Sequence, residues 1–394
     1  MEYKLSRKVK SLRHSLMDDF FAYDVPGMTY FTAGQPATDI FPLKLLEPII
    51  SGLIEDDPSL FTYPRQLGDA ELREVLLARL KKQGVVTSDV TADRIMVTNG
   101  GIGGASMIGE LFIDPGDVVL TESPTFPETL ECFHKEGAKL AGVPMDVDGP
   151  IIEELEAAAK KYKPLFFYVI PDFQNPTGRC TTLERRKAVV ALARKYGFMI
   201  IEDDPYRELY FDRQPPATYY SLAPELTVYV GSFSKTVAPG VRTGWLVLPQ
   251  EVMERAVRLQ MAINLAFPAI IHRALAKLLV HPEYEPHLDE LRADLKRRYE
   301  TLTGLMAAQI SPDQFSWEVP LGGMFLWCRL NGVKGWDFST RARDDFGAAT
   351  FPGVCFTPNY EGEDYSVRLT FARQTDAEMT EGVKRLAAAV RSFF

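Results

Sequence analysis

The fold is decided by PLFFYVIPDFQNPTGRCTTLERRKAVVALARKYGFMIIEDD, residues 164–204. This stretch holds an apolar run at 164–170, an amphipathic segment that ends at Gly197, and a second apolar run at 198–204. They predict a strand, a helix and a strand. The apolar runs are continuous rather than alternating, which is typical of a sheet covered on both faces. Strands separated by helices predict a mainly parallel α/β sheet.

The same alternation extends outward from about residue 70 to residue 250. We predict helices at 71–84, 104–112 and 151–162, and strands at 94–98, 117–121, 227–233 and 244–249. The last third changes character. Helices at roughly 250–310, 336–346 and 376–393 accompany strands at 315–320, 322–330, 354–358 and 366–372, which predicts an α+β lobe.

These patterns predict two domains. A large domain (46–280) carries the helix-covered sheet, and a smaller α+β domain is built from both chain ends (1–45 and 281–394). Near the N-terminus, apolar residues at helical spacing predict an amphipathic helix; they are Leu5, Val9, Leu12, Leu16 and Phe20.

Composition excludes several classes of protein. The 394 residues carry 44 Lys plus Arg against 53 Asp plus Glu, a net charge of -9, which argues against general nucleic-acid binding. The four cysteines are far apart and form no CxxC pair, so we expect a reducing, cytoplasmic location. No apolar run reaches transmembrane length, and no HExxH or similar spacing indicates a metal site.

One segment carries an unusual lysine. In GSFSKTVAPGVRTGW (231–245), Lys235 follows a buried strand, where an ammonium is costly to desolvate unless it is paired or used covalently. Such a lysine can form a Schiff base with a carbonyl cofactor, and Ser232, Ser234 and Arg242 could hold a phosphate. Alternatively, the segment is a surface turn with a solvated lysine.

Three further segments place polar groups after strands. Asp203 ends a strand and Tyr206 follows it, Asn175 lies in the NPTG turn, and VTNGGIGGASM (97–107) leads glycines into a helix N-terminus that favours anions. Each has a structural alternative: a helix cap, a tight turn and a flexible turn, respectively. Ligands of open α/β sheets bind at such strand ends.

The order and combination of these motifs resemble the fold-type I pyridoxal-phosphate (PLP) aminotransferases of class I/II. The resemblance is strongest to the branch with 2-aminoadipate aminotransferase and the effector domains of MocR-type regulators. It covers essentially the whole chain, from FTAGQPATDIFP (31–42) through LFTYPRQLGDAELRE (60–74) to GGMFLWCRL (322–330) and VRLTFA (367–372).

The resemblance implies roles for individual residues. Lys235 would hold PLP as an internal aldimine, with Asp203 and Tyr206 as its catalytic partners, and Arg368 would bind the substrate α-carboxylate. The further residues implied in cofactor or substrate binding are Gly101, Ile102, Phe126, Asn175, Ser232, Ser234, Arg242, Gly34 and, from the neighbouring subunit of a homodimer, Tyr63.

Within these implied roles, Asp203 pairs with the pyridine nitrogen. Asn175 and Tyr206 bind the ring hydroxyl oxygen, and Phe126 stacks on the ring. The phosphate meets Gly101 and Ile102, the two serines, Arg242 and Tyr63.

The implied function is transfer of an amino group between an L-amino acid and a 2-oxo acid. The chain departs from the family pattern at Gly101 and Ile102, where serine and glutamine are usual, and at Phe126, where tyrosine is frequent. Pro64 and Arg65 replace Gly-Pro, and Met17 stands where aminoadipate enzymes carry a substrate-reading arginine.

These departures leave alternatives open. One is a PLP-dependent lyase, cyclase or oxidase that acts on a modified amino acid. Another is a non-catalytic sensing domain, which we expect less because the chain begins almost directly at the aminotransferase region. For Arg65 and His14 two interpretations stay open. Either one of these residues binds a distal group of the substrate, or both are surface residues.

Overall fold

A computed structural model describes residues 3–20, 25–361 and 364–394. Its strands are β1 (Thr29–Tyr30), β2 (Ile95–Thr98), β3 (Val118–Ser123), β4 (Lys139–Asp146), β5 (Gly149–Pro150), β6 (Phe166–Val169), β7 (Met199–Asp203), β8 (Thr227–Ser232), β9 (Gly244–Val247), β10 (Phe315–Trp317), β11 (Phe325–Leu330), β12 (Ala348–Ala349), β13 (Phe351–Pro352) and β14 (Ser366–Thr370).

Helices separate most of these strands. They are α1 (Arg7–Ser11), α2 (Leu43–Asp56), α3 (Ala70–Lys82), α4 (Gly100–Phe112), α5 (Pro127–His134), α6 (Ile152–Tyr162), α7 (Leu183–Tyr196), α8 (Tyr219–Leu222), α9 (Met253–Asn264), α10 (Ala269–Leu279), α11 (Tyr284–Gln309), α12 (Gly335–Asp344) and α13 (Asp376–Arg391). Of the residues described, no helix combines the length and the apolar character that a membrane span requires.

The central sheet has the strand order β2-β9-β8-β7-β6-β3-β4-β5. The five strands from β8 to β4 in this order pair in parallel, and antiparallel pairs occur only at the two ends. Every residue of β2, β6, β8 and β9 is buried. The predicted helix-covered, mainly parallel sheet is therefore confirmed, and it brings the carboxyl ends of β6, β7 and β8 to one edge.

Helix α7 shows how the deciding stretch produces this layer. The Thr182 side chain accepts a hydrogen bond from the Arg185 backbone N–H and caps the first turn. Gly197 ends the helix with a φ of +73°, a left-handed conformation that glycine adopts without a Cβ clash. The chain then enters β7 directly, so Asp203 lies at the edge where ligands of such sheets bind.

A second, smaller sheet lies in the C-terminal part. Its order is β10-β11-β14-β13, and all its pairs are antiparallel. Strand β1 pairs in parallel with β12, so the N-terminal segment joins this part of the molecule, as expected for a small domain built from both ends. The boundaries at 45/46 and 280/281 stay predictions.

Two local predictions were wrong, and one long strand was missed. The N-terminal helix covers only Arg7–Ser11, because no surface of the described chain covers Leu5, Val9 and Leu12, which remain about half exposed. Residues 353–356 form a 3-10 turn instead of a strand, and the neighbouring strand is the two-residue β13. Strand β4 was not predicted at all.

Candidate active site

Two adjoining cavities lie at the carboxyl edge of the central sheet. The Asp203 cavity, of about 150 Å³, is also lined by Gly101, Ser232 and Arg242. The Arg368 cavity, of about 220 Å³, is also lined by Thr32, Gly34 and Glu128. The two cavities share four lining residues, Phe126, Tyr206, Lys235 and Pro239. The sequence motifs therefore meet at one place, although they come from widely separated parts of the chain.

Lys235 stands between the two cavities, three residues after the end of β8. Its Nζ donates a hydrogen bond to the Gly34 carbonyl oxygen at 2.6 Å. Burial lowers the pKa of Lys235 to about 8, and Arg368 and Arg242 act in the same direction. Glu128 and Asp203 oppose this shift. An appreciable fraction of the amine is therefore neutral near physiological pH and available as a nucleophile.

Asp203 supplies a buried carboxylate on the other side of the Asp203 cavity. It accepts a hydrogen bond from the Tyr168 hydroxyl at 2.7 Å. Burial raises the pKa of Asp203 to about 6, while the Tyr168 hydrogen bond and Lys235 favour its charged form. A cationic ring nitrogen facing this group would further stabilise the carboxylate.

Other residues that line this cavity are suited to an anion. Helix α4 begins there, and the side chain of its N-cap residue, Asn99, makes no capping hydrogen bond. Ser232 and Ser234 lie together with their hydroxyl oxygens 3.0 Å apart. The Arg242 guanidinium donates to the Asn99 carbonyl oxygen at 3.1 Å, next to that helix N-terminus. Hydroxyls, an arginine and a helix N-terminus together form a phosphate-binding donor set.

Arg368 is held rigidly on β14 and is 2% exposed. Its guanidinium donates to Asn175 Oδ1 at 2.8 Å and to the Thr32 carbonyl oxygen at 2.7 Å. Three aromatic rings surround the guanidinium carbon at 4.6–5.0 Å from their centroids: Phe325, Phe351 and Phe356. Burial lowers the pKa of Arg368 to about 10, which leaves it charged at neutral pH. An oriented arginine that lines a cavity is suited to a carboxylate.

The other predicted residues divide into two groups. Phe126, Asn175, Tyr206 and Ile102 line the cavities, with Asn175 and Tyr206 buried. Three predicted or discussed positions do not line either cavity in this chain, and all three are exposed; they are Tyr63, Arg65 and His14. His14 forms an ion pair with Asp19, with 2.9 Å between Nε2 and Oδ1, rather than facing the site.

Several lining residues were not predicted as site residues, among them the polar Thr32 and Glu128. Thr32 contributes a backbone carbonyl to Arg368, and Glu128 lies in the first turn of α5. Neither has a distinctive local signal, since an acidic residue after Pro127 is typical of any helix N-terminus. Met17, noted above as a departure from the family pattern, does line the Arg368 cavity.

The model of a protein family described as aminotransferase class I and II matches residues 27–386. The chain belongs to this family. The match covers both sheets and every residue of the two cavities except Met17. The predicted fold and enzyme class are therefore confirmed: the protein is a PLP-dependent aminotransferase of class I/II.

Relatives of this aminotransferase confirm the branch. A 2-aminoadipate transaminase of Thermus thermophilus is 28% identical over 93% of this chain and 91% of its own. The uncharacterized HTH-type transcriptional regulator YisV of Bacillus subtilis is 30% identical over 84% of this chain and 67% of its own. The structure of a Pyrococcus horikoshii kynurenine aminotransferase in complex with PMP superposes with a TM-score of 0.91, at 28% identity, and covers 99% of this chain and 97% of that one.

The residues of the site fit the cofactor of this aminotransferase. PLP needs an amine for its aldehyde, an acid for its ring nitrogen and donors for its phosphate. Lys235, Asp203 and the Ser232–Ser234–Arg242 group surround one cavity in the required combination.

Proposed function

We propose that this aminotransferase joins PLP to Lys235 and binds the α-carboxylate of its amino acid substrate through Arg368. One observation carries the proposal: Lys235 lines both cavities, with Asp203 and the phosphate donors on one side and Arg368 on the other. A substrate carboxylate bound by Arg368 would place the substrate amine next to Lys235 Nζ, which is the geometry that amino-group transfer requires.

The residues of the Asp203 cavity would bind the cofactor. Asp203 would hold the ring nitrogen protonated, and Phe126 would cover a ring face. Asn175 and Tyr206 would bind the ring hydroxyl oxygen. The phosphate would be bound by Gly101, Ile102, Ser232, Ser234 and Arg242. When bound, PLP supplies the electron sink that accepts the electron pair left on the substrate Cα.

Lys235 would move the proton during transfer. With its lowered pKa, the Lys235 amine would act as the general base that removes the substrate Cα proton and as the general acid that returns it. Arg368 and Asn175 would keep the carboxylate fixed, so that the Cα–H bond stays aligned with Nζ. Over the full cycle, one amino acid would be converted to its 2-oxo acid, and a second 2-oxo acid would take up the amino group.

We also propose a homodimer in which Tyr63 completes the site of the partner subunit. Tyr63 is 89% exposed and lies beside Phe61, which is 64% exposed. Leu43 and Ile54 of α2 are also more than half exposed. Exposed aromatic and aliphatic side chains of this size are typical of a protein interface. A cytoplasmic location stays a prediction from the cysteine pattern.

Two measurements test the proposal. Borohydride reduction of the PLP-loaded protein followed by peptide mapping should recover the pyridoxyl group on Lys235. Mixing the loaded protein with a panel of amino acids should convert the absorbance of the bound cofactor to that of its amine form and release stoichiometric 2-oxo acid. An adduct on a different lysine, or an eliminated or cyclised product without 2-oxo acid, would overturn it.

A further inference from the structure

Glu128 is a cavity-lining carboxylate that the proposed transfer steps do not use. It lies in the first turn of α5 and lines the Arg368 cavity. Its Oε2 atom is buried and makes no hydrogen bond to any residue that the structure describes. A buried carboxylate oxygen without a donor is costly, because it has lost its hydrogen bonds to water and no hydrogen bond from the protein replaces them.

The surroundings of Glu128 do not explain it as a purely structural residue. Burial raises the pKa of its carboxyl, whereas a contact with its own backbone N–H and the charges of Arg368 and Lys235 favour the charged form, and Asp18 disfavours it. A carboxylate that only stabilised the helix N-terminus could do so from the surface, as Glu153 does in the first turn of α6. Glu128 instead keeps its carboxylate in the cavity where the substrate is expected.

The charges of the Arg368 cavity indicate what Glu128 could bind. The described residues that line it include three charged side chains, Glu128, Lys235 and Arg368. In the working enzyme, Lys235 is used by the cofactor and Arg368 by the substrate α-carboxylate. Glu128 is then the remaining charge near the substrate side chain, and the uncharged Met17 lies on the same cavity wall.

We propose that Glu128 binds a cationic group at the end of the substrate side chain, so that the preferred amino donors carry an ammonium or a guanidinium. Such a group would form an ion pair with the Glu128 carboxylate and neutralise it. A second substrate carboxylate would instead meet a like charge. This inference rests on the proposed function, because it assumes that Arg368 holds the α-carboxylate.

The test uses the PLP-loaded protein and matched amino acids. Lysine, ornithine and arginine are compared with norleucine, which has no charge, and with glutamate and 2-aminoadipate, which have a second carboxylate. KM and kcat are measured separately for the half-reaction from the absorbance of the bound cofactor. The wild-type enzyme should favour at least one basic amino acid over norleucine by about 10- to 100-fold in kcat/KM, as one charge-assisted hydrogen bond allows.

The Glu128→Gln variant should lose that preference, mainly through a raised KM for the basic substrate. Its kcat/KM for norleucine should fall less than that for the basic substrate, because loss of the Glu128 charge acts on the pKa of Lys235 with either substrate, whereas loss of the cation contact affects only the basic one. Glu153→Gln is the matched control, since it removes an exposed carboxylate from the first turn of α6 and should alter neither value. Glu128→Asp, which keeps the charge one methylene further back, should retain part of the preference.

Two results would overturn the inference. One is a wild-type enzyme that prefers glutamate, 2-aminoadipate or norleucine to every basic amino acid, a comparison that needs no variant. The other is a Glu128→Gln enzyme in which kcat/KM for lysine and kcat/KM for norleucine change by the same factor. Either outcome leaves the proposed function standing, because that function is tested by the lysine that carries the pyridoxyl adduct and by the release of 2-oxo acid from an amino acid of any charge.

Discussion

Replacing Arg368 by lysine keeps the positive charge and removes the geometry that orients it. The guanidinium is held by Asn175 and Thr32 and enclosed by three aromatic faces. A lysine ammonium would lose one of two hydrogen bonds to the substrate carboxylate, about 1.5–3 kcal/mol. It would also lose much of the cation–π stacking on the three aromatic rings, about 1–2 kcal/mol in a desolvated site. Together these losses, about 2.5–5 kcal/mol, predict a fall in kcat/KM of about 10²- to nearly 10⁴-fold.

The assay separates carboxylate binding from general damage to the site. Each variant is given an L-amino acid and the corresponding amine, which lacks the carboxylate. The wild-type enzyme should prefer the amino acid strongly, and Arg368→Lys should lose most of that preference while the reaction of the amine changes little. Arg373→Lys is the control, because Arg373 is exposed and lies just beyond β14.

The reasoning would be refuted if Arg368→Lys slowed the reaction of the amino acid and the reaction of the amine by the same factor. Arg368 would then support the fold or the cofactor and not the substrate carboxylate. Thermal unfolding and the absorbance of bound PLP, measured on the same samples, show whether the variant is folded and loaded.

Three further predictions concern the cofactor side of the site. Asp203→Asn should still take up PLP but remove the Cα proton at least about 10²-fold more slowly, because an amide cannot keep the ring nitrogen charged. The rate is measured as the loss of deuterium from a Cα-deuterated amino acid, and an unchanged rate would contradict this prediction. Attachment of PLP to the apoenzyme should speed up as pH rises to about 8 and level off above it, because the pKa of Lys235 is lowered to about 8 and only the neutral amine reacts. A rate that keeps rising to the ordinary lysine value of 10.5 would refute the lowered pKa. Mixing inactive Lys235→Ala subunits with impaired Tyr63→Ala subunits should restore activity, since a mixed dimer has one site with an intact lysine and the partner subunit's Tyr63; absence of any gain, with mixed dimers present, would place Tyr63 outside the neighbouring site.

The central sheet was predictable where each element had both a periodic pattern and an end signal. Helix α7 had Thr182 and Gly197 at its ends, and β7 followed with a continuous apolar start before Glu202 and Asp203. Strand β4 had neither signal. It lies near the edge of the sheet, only Leu140 and Val143 of its eight residues are buried, and Gly142 and Pro144 interrupt its pattern. Single-sequence patterns detect such strands poorly because their pairing partner, β3, determines them.

The N-terminal helix failed for a related reason. The spacing of Leu5, Val9 and Leu12 fits a helix, but no apolar surface covers them in the described chain. Beyond that point Met17 and Phe20 are buried against Phe351 and Phe356, contacts more than 300 residues away in sequence. Tertiary contacts of this kind override local periodicity.

The two halves of the site differ in the same way. The cofactor half comes from the ends of neighbouring strands, so Asn175, Asp203 and the segment 231–245 could be placed together from topology alone. The substrate half is assembled from distant segments: Arg368 contacts Asn175 across 193 residues and Thr32 across 336. Glu128 reaches the same cavity from a third segment, with no motif of its own. Cofactor chemistry can therefore be inferred from sequence order, whereas substrate choice depends on packing between the chain ends and the central sheet. A substitution at Glu128 or Met17 can change the substrate while every cofactor contact stays in place.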